Sequence, residues 1–286
     1  MLVCPYDTDA RHSEKRGHGW SGYKVHLTET CDNTPNGGTD GEKPQPPNLI
    51  TNVVTTHAAV ADSTMTIPIH QDLAERDLLP AEHLMDAGYA SAPHILTCMT
   101  EHDVRLVTPV RADRSHQARA KTGYAREAFT TDFDRQQAVC PQGAVSTIWS
   151  ESRYHGEDVI VVAFPASTCI PCPARTQCTT STQRRQLTLR PRHLHETPQN
   201  ARVEQTTDAW KARYRARAGI EGTISQTVTV TGSRKARYTG IGKVHLEHVF
   251  AATAINLIRL DAWWTDTPLQ RTRTTHLARL DLALAA

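Results

Sequence analysis

The first ordered pattern along the chain is an alternation. Gly22-Tyr23-Lys24-Val25-His26-Leu27-Thr28-Glu29-Thr30 sets apolar or aromatic residues at every second position, as a half-buried strand requires. A Gly- and Pro-rich break, Asn33 to Pro47, closes it, and Asn48 to Thr56 reads as a second strand. Met65 to Leu79 carries apolar residues at helical spacing and stops at Pro80. His83 to Tyr89 is a short apolar run ending in Asp86 and Gly88, and a helical segment Ala92 to His102 and a strand Val104 to Val110 follow it. Strands alternating with helices predict an α/β sheet with crossover connections.

Between Arg111 and His195 the texture changes to Cys-Pro dipeptides, turn signals and the β-rich run Val159 to Phe164, which predicts an inserted β-rich, cysteine-containing subdomain. Helical patterning resumes over Ala201 to Gln226 and, after a Gly- and Arg-rich loop at Thr231 to Gly242, over His245 to Trp264. The organisation expected is therefore residues 1–110 as the first part of one domain, 111–195 as the insertion, 196–265 as the helical completion of that domain and 266–286 as a polar tail. With 286 residues, 38% of them hydrophobic, the chain can build a substantial core. A formal charge of only +2 despite 32 Lys and Arg excludes a global basic field, so nucleic-acid contact must come from local clusters. The longest apolar segment, Val249 to Leu260, is too short to span a bilayer, and no charged leader with an apolar run opens the sequence, so a cytoplasmic protein without membrane contact is expected.

Three groups of residues carry candidate chemistry. Asp86 falls at the end of an expected buried strand, where open α/β sheets present reactive groups, although turn formation or helix capping explains such an Asp as well. Tyr214, Arg217 and Glu221, at spacings of three and four, share one helical face, with Gly219 and Gly222 flanking the acid; a solvated Arg/Glu pair and a core-packing Tyr are the plainer explanations. Cys140, Cys169, Cys172 and Cys178 include a Cys-x-x-Cys pair, half of a tetrahedral Zn²⁺ site that the other two would close, with free thiols as the alternative and His193 and His195 as competing ligands. Cys4, Cys31 and Cys98 stand apart. Basic clusters occur at Arg184-Arg185 through His193, at Lys211 to Arg217, and at Arg234-Lys235-Ala236-Arg237-Tyr238. Each is suited to phosphate neutralisation, and singly each reads as a solvated face.

Gly22-Tyr23-Lys24-Val25-His26, then Asp86-Ala87-Gly88-Tyr89, then Tyr214-x-x-Arg217-x-x-x-Glu221, in this order and over residues 5–260, resemble the DDE transposase domain of bacterial insertion sequences. The resemblance implies an RNase H-like fold, with Asp86 as the second and Glu221 as the third catalytic acid holding Mg²⁺ or Mn²⁺ for DNA strand cleavage and strand transfer. It implies DNA partners, the element's terminal inverted repeats and the target, contacted through Tyr214, Arg217, Arg234, Lys235 and Arg237, with a homodimer as the candidate assembly. The signature's Lys, seven residues beyond Glu221, is replaced by Val228; Arg234 and Lys235 lie just downstream.

The first acid of the family precedes the Gly-Tyr-Lys-x-His strand, and no apolar run ending in Asp stands there. Asp7 and Asp9 lie in the polar stretch Pro-Tyr-Asp-Thr-Asp-Ala-Arg, a turn by composition, which leaves Asp9 a weak candidate for that acid. The expectation is a chain truncated at its N-terminus that does not cut DNA alone. The rivals are a non-catalytic DNA-binding remnant or regulator and, more weakly, a metal-dependent nuclease.

Overall fold

A computed structural model describes residues 3–15, 17–31, 46–111, 116–120 and 123–267. In chain order these form β1 (Arg11–Lys15), β2 (His18–Glu29), β3 (Ile50–His57), α1 (Thr66–Ala74), β4 (Glu82–Leu84), α2 (Ala92–Glu101), β5 (Arg105–Val107) and α3 (His116–Ala120). There follow β6 (Thr130–Asp132), β7 (Gln137–Val139), β8 (Ile148–Tyr154), β9 (Glu157–Ala163), the single turns α4 (Ala166–Cys169) and α5 (Arg175–Cys178), and β10 (Gln186–Leu189). Four helices close the order: α6 (Arg192–Glu204), α7 (Asp208–Arg215), α8 (Ala218–Thr231) and α9 (Ile241–Trp264). The chain is mixed α/β with several small sheets, divided into two compact units. Most of the Asn33–Pro47 break and of the tail after Asp266 lies outside the described residues.

The first unit comprises Met1–Tyr89, Thr97–Thr108 and Asp208–Ala286. Its sheet runs β1-β2-β3, antiparallel throughout, with Tyr23 opposite His57 and Leu27 opposite Val53. The alternation in β2 sorts its two faces. Leu27 and Val53 pack on Ile50, Ala252 and Ile255, which covers one face with α9. Lys24 and His26 belong to the opposite face, where α1 buries Ile69, His70 and Leu73. β2 begins earlier than its apolar alternation suggested because β1, a polar strand, pairs with its first half from Arg11–Gly22 to Lys15–His18. β4 and β5 form a separate parallel pair, Glu82 opposite Arg105 and Leu84 opposite Val107.

The helix expected over Ala201–Gln226 is three helices. The break between α7 and α8 is made by short-range bonds: Arg217 N–H to the Tyr214 carbonyl (3.1 Å), Gly219 to Ala216 (3.2 Å) and Ile220 to Arg217 (3.2 Å). Gly219, the poorest helix former of this stretch, weakens the register there. Tyr214 therefore sits in α7, Arg217 at the N-cap of α8 and Glu221 in the first turn of α8.

The second unit comprises Ala90–Leu96 and Pro109–Thr207. β8, β9 and β10 form an antiparallel sheet with β9 central, and β6 and β7 pair beside each other. Phe129, Ala138, Ile160, Val162, Phe164, Leu187 and Leu189 make its core. The unit extends through α6 to Thr207, because His195 on α6 is buried against Phe133, with ring centroids 5.3 Å apart.

Candidate functional site

In the first unit the hydrogen bonding of β4 continues one residue past the strand, Met85 N–H to the Val107 carbonyl (3.1 Å), and the chain then turns, Tyr89 N–H bonding the Asp86 carbonyl (2.9 Å). Thr66, fully buried in the first turn of α1, donates to the Tyr89 carbonyl (2.8 Å) and pins this turn. Asp86 is left exposed, its carboxylate without a hydrogen-bond or ion-pair partner among the described residues. The Gly-Tyr-Lys-x-His strand supports the same turn from beneath. Tyr89 Oη lies 2.5 Å from His26 Nδ1, and His26 Nε2 lies 3.2 Å from Thr56 Oγ1. Burial lowers the pKa of His26, which favours a neutral ring between the two hydroxyls. Lys24 Nζ donates to the Val60 carbonyl (2.7 Å) and pairs with Asp62 (2.9 Å). Asp62 in turn sits so close to Gly88 that a Cβ there would meet its Oδ2 at 3.3 Å. Burial raises the Tyr89 hydroxyl's pKa, with Asp62 and Asp86 adding to the effect and Arg217 opposing it.

The helix segment meets this turn although it lies far along the chain. Arg213 pairs with Glu82 (3.2 Å), and Tyr214 Oη points at the Met85 carbonyl (3.4 Å), 129 positions away. Tyr214 is half-buried, stacked on Trp210 with centroids 4.8 Å apart, and Arg217 lies 6.0 Å from its ring centre. Arg217 Nη1 holds Glu221 Oε1 at 3.0 Å, while the acid stays mostly exposed. Burial raises the pKa of Tyr214; Arg217 opposes this, and Asp86 and Glu221 both add to it, so one phenol senses the two candidate acids. Both acids offer the hard oxygen ligands that Mg²⁺ prefers, and their exposure leaves room for the waters it keeps, so the donor chemistry fits a divalent cation. Among the described residues no three His, Cys, Asp or Glu side chains stand close enough to hold an ion as placed.

Asp9 is engaged elsewhere. Its Oδ2 accepts the Ile241 N–H (2.9 Å) and so caps α9, while Asp7 accepts from the Asp9 and Ala10 N–H groups and from Tyr23 Oη (2.6 Å). Arg234, Lys235 and Arg237 are exposed on the link between α8 and α9, Arg237 also donating to the Thr231 carbonyl (2.8 Å).

Sequence reasoning missed the group that anchors α8. Glu29, at the end of β2, accepts from Thr223 Oγ1 (2.5 Å) and from Arg259 Nη1 (3.1 Å), and the ion pair is buried, with side-chain exposures of 10% for Arg259 and 7% for Glu29. Arg259 also donates to the Asn48 carbonyl (2.7 Å). The signal was present: an Arg in the apolar run Val249 to Leu260 faces burial and demands a partner.

In the second unit Cys140, Cys169, Cys172 and Cys178 line one cavity of about 70 Å³, together with Tyr124, Phe164 and Arg185. Burial raises the pKa of Cys178; Arg185 lowers it, and the Cys169, Cys140 and Cys172 thiols raise it further. Arg185, grouped above with the basic clusters, turns inward: its Nε is buried.

No curated protein and no solved structure matches the chain. The model of a family described as transposase DDE domain matches residues 139–261, less than half of the chain, a stretch that takes in the four cysteines, Tyr214, Arg217 and Glu221 and leaves Asp86 outside. The C-terminal part of the chain is thus similar to a transposase DDE domain.

Proposed function

We propose that the chain is part of a bacterial insertion-sequence transposase that cleaves and joins DNA strands with divalent metal ions, its first unit being RNase H-like and Asp86 and Glu221 being two of its metal-holding acids. The observation that carries this is the joining of the Asp86 turn to the Tyr214–Glu221 segment, through Arg213–Glu82 and Tyr214–Met85, within a chain whose later part matches the family. Bound metal would activate the attacking water or 3′-hydroxyl and stabilise the leaving oxygen. Around it the chain's own residues have distinct tasks. His26 and Lys24 hold the Asp86 turn through Tyr89 and Asp62. Arg217 orients Glu221 and presents a guanidinium suited to a phosphate. Arg234, Lys235 and Arg237 neutralise backbone charge, which makes affinity salt-dependent and indifferent to sequence. A third carboxylate, on a strand that precedes β2 in sequence, is what the resemblance implies, and such a strand would give the sheet a central neighbour.

A second reading, a non-catalytic DNA-binding remnant or regulator, is favoured by one observation: Asp9, the candidate first acid, spends its Oδ2 on capping α9. The test is cleavage of DNA bearing the element's ends in Mg²⁺ or Mn²⁺, for the chain alone and for the chain extended by the upstream reading frame. The expected result is salt-sensitive DNA binding by both and cleavage by the extended chain. Asp86→Asn or Glu221→Gln should reduce that cleavage about 10²-fold or more with binding unchanged. Binding without cleavage by either form would favour the second reading.

A further inference from the structure

We propose that Cys140, Cys169, Cys172 and Cys178 bind one Zn²⁺ as thiolates, with the half-buried Arg185 guanidinium as the counter-charge of the cluster. The second unit gathers four half-buried thiols, none in a disulfide, around one small cavity although they span 39 residues of sequence. Two of them stand on tight turns. Gly143 N–H bonds the Cys140 carbonyl (2.8 Å) with Gly143 at φ +82°, a conformation that favours glycine, and Cys172 N–H approaches the Cys169 carbonyl at 3.3 Å.

Arg185 is what free thiols do not explain. Its Nη1 donates to the Cys178 carbonyl (2.9 Å), its guanidinium lies 5.4 Å from the centre of the Phe129 ring, and its buried Nε has no hydrogen-bond partner. No carboxylate pairs with it among the described residues. Arg185 is half-buried with its Nε out of reach of solvent, and a partly desolvated cation among neutral groups is favoured by a nearby anion. Zinc binding supplies one: Zn²⁺ and four thiols give a tetrathiolate of net charge −2 and release four protons to solvent. One guanidinium beside it offsets half of that charge and can donate toward a sulfur through Nε, the role outer-shell partners take in metal sites. The thiols as placed line the cavity rather than meeting within it, so binding draws them inward by rotation about Cα–Cβ. Cys169 and Cys178 end one-turn helices, Cys172 lies in the loop between those turns and Cys140 just beyond β7, so none is held in a β ladder.

The test uses the full chain, expressed with added zinc, purified under reducing conditions and dialysed. Elemental analysis is expected to find one zinc per chain, with four thiols that react with a thiol reagent only after a chelator has removed the metal. Co²⁺ in its place is expected to give thiolate-to-metal charge transfer and the absorption of a tetrahedral ion. Arg185→Gln should weaken zinc about 10–100-fold in competition with a chelator, and Arg185→Lys should recover most of the loss. A folded chain that retains no zinc and whose thiols react equally fast with and without the ion overturns the site, as does a mass showing disulfides after oxidant-free purification. Wild-type zinc affinity in Arg185→Gln overturns the counter-charge. Should a variant fail to fold, the Co²⁺ spectrum of the unaltered chain decides the ligand set.

Discussion

The two units hold themselves together by different means. The second has an apolar core in which Phe129, Phe164, Ile160, Val162, Leu187 and Leu189 pack across its sheet. In the first unit the cluster against β2 and β3 is small, Ile50, Ala252 and Ile255 with Leu27 and Val53, and other buried apolar residues, Ile69, Leu73, Val104, Val107 and Val244 among them, lie apart from it; buried directional bonds join these patches. Glu29, Thr223 and Arg259 tie β2 to both long helices; Asn256 bonds both backbone groups of Ile50 (2.8 and 2.9 Å); His26 and Tyr89 hold the Asp86 turn. Apolar burial is non-directional and fixes a core without fixing angles. A buried hydrogen-bonded network fixes angles at a cost in desolvation. The unit that carries the two acids proposed to act together is the one built with angles.

That contrast breaks most visibly at Arg259. Arg259→Ala leaves the Glu29 carboxylate buried and unpaired, which should cost about 3–5 kcal/mol. The expected outcome is a first unit that unfolds early in denaturant while the second keeps its own transition; a single shared transition with an unchanged midpoint would show that the network contributes little.

A smaller effect concerns acid. On the α1 side of the first unit His70 Nδ1 donates to the Thr66 carbonyl (2.7 Å), so its Nε2 accepts from His83 Nδ1 (3.2 Å), and both rings are neutral. Burial, with His70 adding to it, lowers the pKa of His83 from 6.5 to about 4. Because the folded form binds its proton more weakly than the unfolded form, the contribution of His83 is complete above pH 6.5 and is lost as pH falls toward 4. His83→Gln should flatten the fall of melting temperature between those values, by at most about 1.4 kcal/mol of stability per pH unit. An unaltered profile would assign the acid sensitivity to other groups.

The smallest expected effect sharpens the reading of Asp9. As a helix cap, its replacement in Asp9→Ala should cost about 1 kcal/mol of stability and leave metal-dependent DNA cleavage by the extended chain unaltered. Loss of cleavage at full stability would make Asp9 the first acid after all.

Much of this could be read from the chain. The alternation at Tyr23, Val25 and Leu27 located β2, although Val25 is exposed and the buried residue of the strand is His26 on the other face, and the run at Val159 to Phe164 located β9, whose burial leaves an apolar run. β1 was missed because Arg-His-Ser-Glu-Lys pairs mainly by backbone bonds and leaves no apolar period. The break at Ala216–Arg217 was missed because it is made by main-chain bonds, and the one poor helix former there, Gly219, does not announce a break by itself. At the candidate site the residue types were legible in Asp86, Arg217 and Glu221, but their supports were not. Lys24–Asp62 and Glu29–Arg259 join positions 38 and 230 apart, and neither spacing has a local signature.

The order of the units along the chain has a consequence for synthesis on the ribosome. The first unit is begun first, yet its buried pair needs both Glu29 and Arg259, so its sheet must wait, with an open edge and an uncovered face, until nearly all the chain has emerged. The second unit, almost continuous from Pro109 to Thr207, can close on itself in that interval. The unit begun earliest is therefore the one completed last, and its first segment must stay soluble without its partners while the second unit is made.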